Sequence, residues 1–316
     1  MTCIINTMRL VTLEDVRAAA AAIAPHVVHT PLLTFDSGLL IKPESLQPIG
    51  AFKQRGAVNA LSRIPSGDRE RGVVAYSSGN HAQAVAYAAK TLGMPAAIVV
   101  PENTPQLKID ATRAHGAEVF VVGITERESR AAELVAERGA TLIPPFDHPD
   151  VIAGQGTIGL EICADLPDVA TILVPVSGGG LISGVAAAVK ALRPDVRVIG
   201  VEPELAGDTA ASFAAGSLVR WNAHDRARTC ADGLRAEPSE LTWAHIREYV
   251  DDFITVSEDE IRDAVNQIAR RTRVVAEPSG AVPVAAYLNR SLPPGPAVAV
   301  VSGGNIPPSL LASILG

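Results

Sequence analysis

The sequence predicts an α/β protein whose strands run parallel and carry helices on both faces. Two observations support this. From residue 72 onward, short apolar runs at 73–77, 96–101, 117–122 and 140–143 alternate with Ala-rich helical stretches, the β–α repeat of a parallel sheet. Helix starts are also marked. Thr12-Leu13-Glu14-Asp15 and Ser257-Glu258-Asp259-Glu260 read as capping boxes, each a hydroxyl followed three residues later by a carboxylate. The 316 residues suffice for one large domain or two closely joined ones. Hydrophobic residues make up 47% and aromatic residues 4%, so aliphatic side chains must fill the core.

Composition also excludes function classes. The net charge is −7 with no basic run, which argues against a nucleic-acid surface. No apolar run reaches the ~18 residues of a membrane span, and residues 1–10 lack a charged-then-apolar leader pattern. A soluble cytoplasmic protein is expected. Cys3, Cys163 and Cys230 are scattered without paired metal spacing, as free thiols of a reducing compartment would be.

Four segments carry chemistry. In Gln47-Pro48-Ile49-Gly50-Ala51-Phe52-Lys53-Gln54-Arg55-Gly56-Ala57, a lysine follows a glycine turn and an aromatic residue and enters a helix predicted over 54–61. Desolvation there favours the neutral, nucleophilic amine. Ser77-Ser78-Gly79-Asn80-His81 joins strand 73–76 to a helix over 82–92, a junction that aims free N–H groups at an anion. Ser177-Gly178-Gly179-Gly180-Leu181 joins strand 171–176 to a helix over 182–192, where glycines let backbone approach a phosphate. Ser302-Gly303-Gly304-Asn305 follows strand 296–301 and offers a hydroxyl to a heteroaromatic nitrogen. Taken singly, each also fits an ordinary cap or turn. The glycine loop is not a Walker loop, since no Gly-Lys-Ser/Thr follows. It departs from the dinucleotide fingerprint too, with Ser183 at the third glycine position and Gly184 one place later. Glu202, at the spacing of a ribose-binding acid, keeps a nicotinamide oxidoreductase as an alternative. A non-catalytic small-molecule binder is a further one.

Together the four segments resemble the fold-type-II pyridoxal phosphate (PLP) enzymes, in the serine/threonine dehydratase and serine racemase group. The resemblance runs from about Thr12 to about Asn305. It includes Val151-Ile152-Ala153-Gly154-Gln155-Gly156-Thr157, Ala231-Asp232-Gly233 and Glu277-Pro278-Ser279-Gly280. It implies a two-domain, tryptophan-synthase-β-like fold, with a small mobile domain over 72–148 and a large PLP-binding domain over 1–71 and 149–316. It implies that Lys53, beside Phe52, forms the covalent link to PLP. Ser177, Gly178, Gly179, Gly180 and Leu181 then hold the phosphate, Asn80 the phenolic oxygen and Ser302 the ring nitrogen. The loop of Ser77, Ser78, Gly79 and His81 receives the substrate carboxylate, and Ser78 faces the cofactor opposite Lys53. Arg130, in Glu128-Ser129-Arg130, matches an arginine that nears substrate on closure, although its spacing from Glu126 also fits a surface pair. Glu202, the Ala206 carbonyl and Asp208 match a divalent-cation site suited to Mg²⁺, Ca²⁺ or Mn²⁺. A homodimer is implied, and no regulatory domain is expected after residue 305.

The implied activity is an L-threonine/L-serine dehydratase (ammonia-lyase). Serine or other amino-acid racemisation and 3-hydroxyaspartate dehydration are the alternatives. The last would want a cation for a second carboxylate, from Arg130 or Arg235. The chain departs from the family at Ile49-Gly50-Ala51, which loses a hydroxyl near the lysine. Ala82 replaces a glycine, and the segment between residues 32 and 41 is short. Ala236 stands where racemase-like members carry serine, which argues mildly against a dedicated serine racemase.

Overall fold

The computed structural model describes residues 9–316, so Cys3 and most of the N-terminal stretch lie outside the described residues. Ten strands form two sheets. The larger takes β1 (Leu33–Thr34), β2 (Leu39–Pro43), β7 (Thr171–Pro175), β8 (Arg197–Pro203), β9 (Asp252–Val256) and β10 (Ala297–Val301), in the order β1-β2-β10-β7-β8-β9. The smaller takes β3 (Val73–Tyr76), β4 (Ala96–Pro101), β5 (Glu118–Val122) and β6 (Thr141–Leu142), in the order β5-β4-β3-β6. Only the β1–β2 pair is antiparallel. The inner strands β7 and β10 are buried throughout, as a sheet covered on both faces requires. In both sheets the motif loops leave the carboxyl ends of strands, where open α/β sheets bind ligands.

Both capping boxes form as the sequence predicts, at Thr12 and Ser257. Three helices begin earlier than predicted, at Lys53, Asn80 and Gly180. Lys53, Asn80, His81, Gly180 and Leu181 therefore occupy first helical turns, while the serines and glycines before them stay in loops. There the N–H groups lack intrahelical acceptors and stay free for a ligand.

Helix Lys53–Ser62 is set by two devices. Its backbone meets helix Pro149–Asp165 directly, since a Cβ on Gly154 would lie 2.6 Å from Gly56 Cα. Arg55 is fully buried and pairs with Glu44 at 2.7 Å and Glu161 at 2.6 Å. Burial would raise the Glu44 carboxyl, yet Arg55 holds it below the usual range. Lys42, also fully buried, donates to the Thr30 carbonyl at 2.5 Å and pairs with Glu161 at 2.6 Å. Every charge in this cluster has a partner, and removing one partner of such a buried pair costs about 3–5 kcal/mol.

Candidate active site

The lysine segment is stitched to the end of β10. Gly50 (φ +73°) turns the chain, Phe52 N–H donates to the Ser302 carbonyl at 2.9 Å, and Gly304 N–H donates to the Gly50 carbonyl at 2.9 Å. Lys53 thereby opens its helix beside Ser302, which is 5% exposed. Part of the Lys53 side chain still meets solvent, yet its amine lies deep enough that burial lowers its pKa to about 8. Nζ donates to the Pro145 carbonyl at 2.7 Å and lies 5.0 Å from the Phe52 ring centre.

The small sheet contributes Asn80. Its Nδ2 donates to Glu277 Oε1 at 2.7 Å, and its Oδ1 accepts from Asn305 Nδ2 at 2.8 Å. Asn305 also donates to the Ile49 carbonyl at 2.9 Å, closing a chain from the small sheet to the lysine turn. Ser77 and Ser78 are half-buried; Gly79 N–H donates to Ser77 Oγ at 3.3 Å, and the Ser78 hydroxyl makes no hydrogen bond among the described residues. The His81 ring is only 3% exposed, and its Nε2–H donates to the Ile143 carbonyl at 2.8 Å. Burial, with the Lys53 charge in support, drops its pKa to about 3, so it stays neutral. Its side chain therefore braces Ile143, which leaves the loop backbone and the Ser78 hydroxyl open to a carboxylate.

The glycine loop lies against the same segment. A Cβ on Gly178 would run into the Phe146 ring, and one on Gly180 would lie 2.7 Å from Phe146 Cβ. Gly179 adopts φ +84° as the N-cap of helix Gly180–Leu192. Leu181 follows in the first turn, so unpaired N–H groups converge without side chains in the way.

Two predicted residues sit elsewhere or differently. Arg130 is not brought to this cluster. It lies on helix Arg127–Arg138, where Glu133 and Glu137 each hold it at 2.8 Å and its guanidinium covers the Phe120 ring. Its partners lie three and seven residues on, rather than at Glu126, whose carboxylate turns back to accept from Gly123 N–H at 3.1 Å. Glu202 faces Asp208, not a nucleotide groove. Both are buried, at 1% and 2% exposure. Burial, with repulsion from Asp208, lifts Glu202 to about 8, and burial lifts Asp208 to about 6. Asp208 Oδ2 has no hydrogen-bond partner. No cluster of three or more His, Cys, Asp or Glu side chains occurs among the described residues. Two enclosed carboxyl groups, one with an unpartnered oxygen, fit a cation completed by carbonyl and water oxygens.

Sequence reading gave Glu277 no role, although its motif was recognised. Burial, with Asp232 adding repulsion, raises its carboxyl to about 7 despite the Asn80 bond. Its signal was an acid immediately before a Pro-led helix. Pro145 and Phe146 carried no signal at all.

Fold and cleft together define a class: two parallel α/β sheets face each other across one buried low-pKa lysine and a glycine cradle, the arrangement of tryptophan-synthase-β-like PLP enzymes. The chain belongs to the pyridoxal-phosphate dependent enzyme family, whose model matches residues 23–303. It falls in the threonine dehydratase and serine racemase group. It is 44% identical over 318 residues to an L-threonine ammonia-lyase of Thermotoga maritima, covering 97% of this chain and 78% of that one. It is 42% identical over 316 residues to an L-threo-3-hydroxyaspartate ammonia-lyase of Saccharomyces cerevisiae, covering 96% of each. The structure of maize serine racemase superposes with a TM-score of 0.89 at 39% identity, covering 96% of this chain and 97% of that one. The residues present suit PLP: an amine with lowered pKa for its aldehyde, and a cradle without side chains for its phosphate.

Proposed function

We propose that the protein is a PLP-dependent L-threonine/L-serine dehydratase, releasing ammonia and a 2-oxo acid. The observation that carries this reading is Lys53, a desolvated amine of pKa about 8 held between the Ser302 turn and the glycine loop. PLP, when bound, supplies the electron sink for Cα–H cleavage. Lys53 anchors the cofactor and, once freed by substrate, takes the α-proton on its neutral amine. Backbone N–H groups of Ser77–His81 hold the substrate carboxylate. Gly178–Leu181 would hold the phosphate and Asn80 the phenolic oxygen, and Phe52 flanks the lysine. Ser302 would offer the ring nitrogen a hydroxyl in place of a carboxylate, which would leave the ring less readily protonated and a weaker electron sink. Loss of the β-hydroxyl then competes with reprotonation. Glu202, the Ala206 carbonyl and Asp208 would hold Mg²⁺ or Ca²⁺ as a structural ion.

One observation favours a second reading, racemisation. The Ser78 hydroxyl is half-buried and uncommitted, so it is free to return a proton from the face opposite Lys53. A homodimer and a cytoplasmic location are carried by the family resemblance, and sedimentation tests the first.

Proton NMR in D₂O tests the assignment, with PLP-loaded protein, Mg²⁺ and each amino acid. L-Threonine or L-serine should lose its α-proton signal as the 2-oxo acid appears. α-Deuteration without oxo acid, with D-amino acid on chiral analysis, would replace the dehydratase by the racemase. No exchange with either, but turnover of L-threo-3-hydroxyaspartate, would reassign the substrate.

A further inference from the structure

Ser177 opens the glycine loop, a place where a hydroxyl is readily assigned to an anion. Its side chain is committed elsewhere. Oγ accepts from Ala236 N–H at 3.0 Å and donates to the Ala236 carbonyl at 3.4 Å. The bond from Ala236 N–H fixes where Oγ sits, and the Ala236 carbonyl is the acceptor within reach of its one proton.

Ala236 belongs to residues 229–239, which form no helix or strand. The segment is held at discrete points. Gly233 N–H donates to Ser279 Oγ at 2.9 Å, Arg226 donates to the Arg235 carbonyl at 2.5 Å, and Trp221 N–H donates to Glu237 at 3.0 Å. Asp232 reaches Lys108 at 3.0 Å, on helix Gln106–Ala114 beside the smaller sheet. The segment thus bridges the glycine loop of one sheet and a helix of the other. No other hydrogen bond ties residues 229–239 to the glycine loop among the described residues.

We propose that Ser177 is a positioning residue whose hydroxyl fixes the 229–239 segment on the substrate side, while phosphate binding falls to the backbone N–H groups that follow it. The inference rests on the reading above that an amino acid enters this cleft. Losing the clamp loosens the segment and leaves the glycine cradle, which is shaped by Phe146 and the helix start, in place.

The test compares PLP-loaded wild type, Ser177→Ala and Ser177→Thr by hydrogen–deuterium exchange, with PLP affinity from visible-absorbance titration. In Ser177→Ala, residues 229–239 should exchange more than about twofold faster, as loss of one hydrogen bond allows. PLP affinity should stay within about twofold, and KM should rise by a larger factor than kcat falls. Ser177→Thr, which keeps the hydroxyl, should return to wild-type exchange. Exchange within about twofold of wild type in Ser177→Ala, or PLP affinity weakened beyond about twofold, overturns the proposal. Exchange and affinity need no turnover, so a wrong substrate assignment shows up separately, in the NMR assay.

Discussion

Lys53 illustrates how one side chain is made reactive without a charged neighbour. Burial alone brings its pKa to about 8, leaving about a tenth of it neutral at pH 7. The neutral amine is the form that attacks an aldehyde, so the rate of PLP capture should rise with pH and level off above about 8. Stopped-flow absorbance of cofactor-free protein mixed with PLP between pH 6 and 9.5 checks this. A rate still climbing steeply at pH 9.5 would mean the amine is not desolvated. His81 is neutral throughout that range, because its pKa lies near 3. Glu277, near 7, does titrate there, and Glu277→Gln isolates the lysine: the rise to a plateau should survive that change. The lysine's reactivity was legible in the sequence as an apolar setting. The carboxylate behind Asn80 was not, because its partner lies 197 residues away.

At the scale of elements, the chemistry sits on helix starts. Reading Gly, Asn and Ser as turn formers placed Asn80 and Gly180 in loops. The structure makes each the first residue of a helix, and so supplies the free N–H groups an anion needs. The junction of β8 with helix Asp208–Ala215 carries its own prediction. Glu202 and Asp208 are buried together, neither forms an ion pair among the described residues, and Asp208 Oδ2 has no hydrogen-bond partner. Mg²⁺ or Ca²⁺ should therefore raise the melting temperature by a few degrees, with EDTA reversing the gain. In Glu202→Gln the metal-dependent rise should vanish. An unchanged wild-type melting curve with either ion, read by differential scanning fluorimetry, would remove the metal assignment.

Across the whole molecule, the two sheets meet through few polar contacts. Lys108–Asp232 is the one ion pair joining residues 73–142 to the remainder among the described residues. It spans the cleft where Asn80, on the small sheet, meets Glu277 and Asn305 on the other side. Lys108→Met should lower kcat/KM severalfold by making the assembled cleft less populated. It should also flatten the salt dependence, since the pair is partly exposed and screened by salt. Steady-state kinetics from low to about 0.3 M NaCl checks this, and unchanged kcat/KM would show that the pair has no part in assembling the cleft.

The sequence by itself determined the α/β class, the parallel β–α repeat, both capping boxes, the family and the set of motif residues. Those features are local: strand periodicity, cap chemistry and glycine placement act over a few residues and leave their mark in the chain order. Tertiary structure alone decided how they are used. It committed the Ser177 hydroxyl to Ala236, sealed His81 against Ile143, drew Arg130 to its own helix face and put Glu277 behind Asn80. Except for the exposed Arg130, each of these outcomes depends on which partner a polar group finds when water is excluded, and those partners come from distant parts of the chain. A buried donor or acceptor must be satisfied by whatever the packing brings within reach, and spacing along the chain carries no record of that.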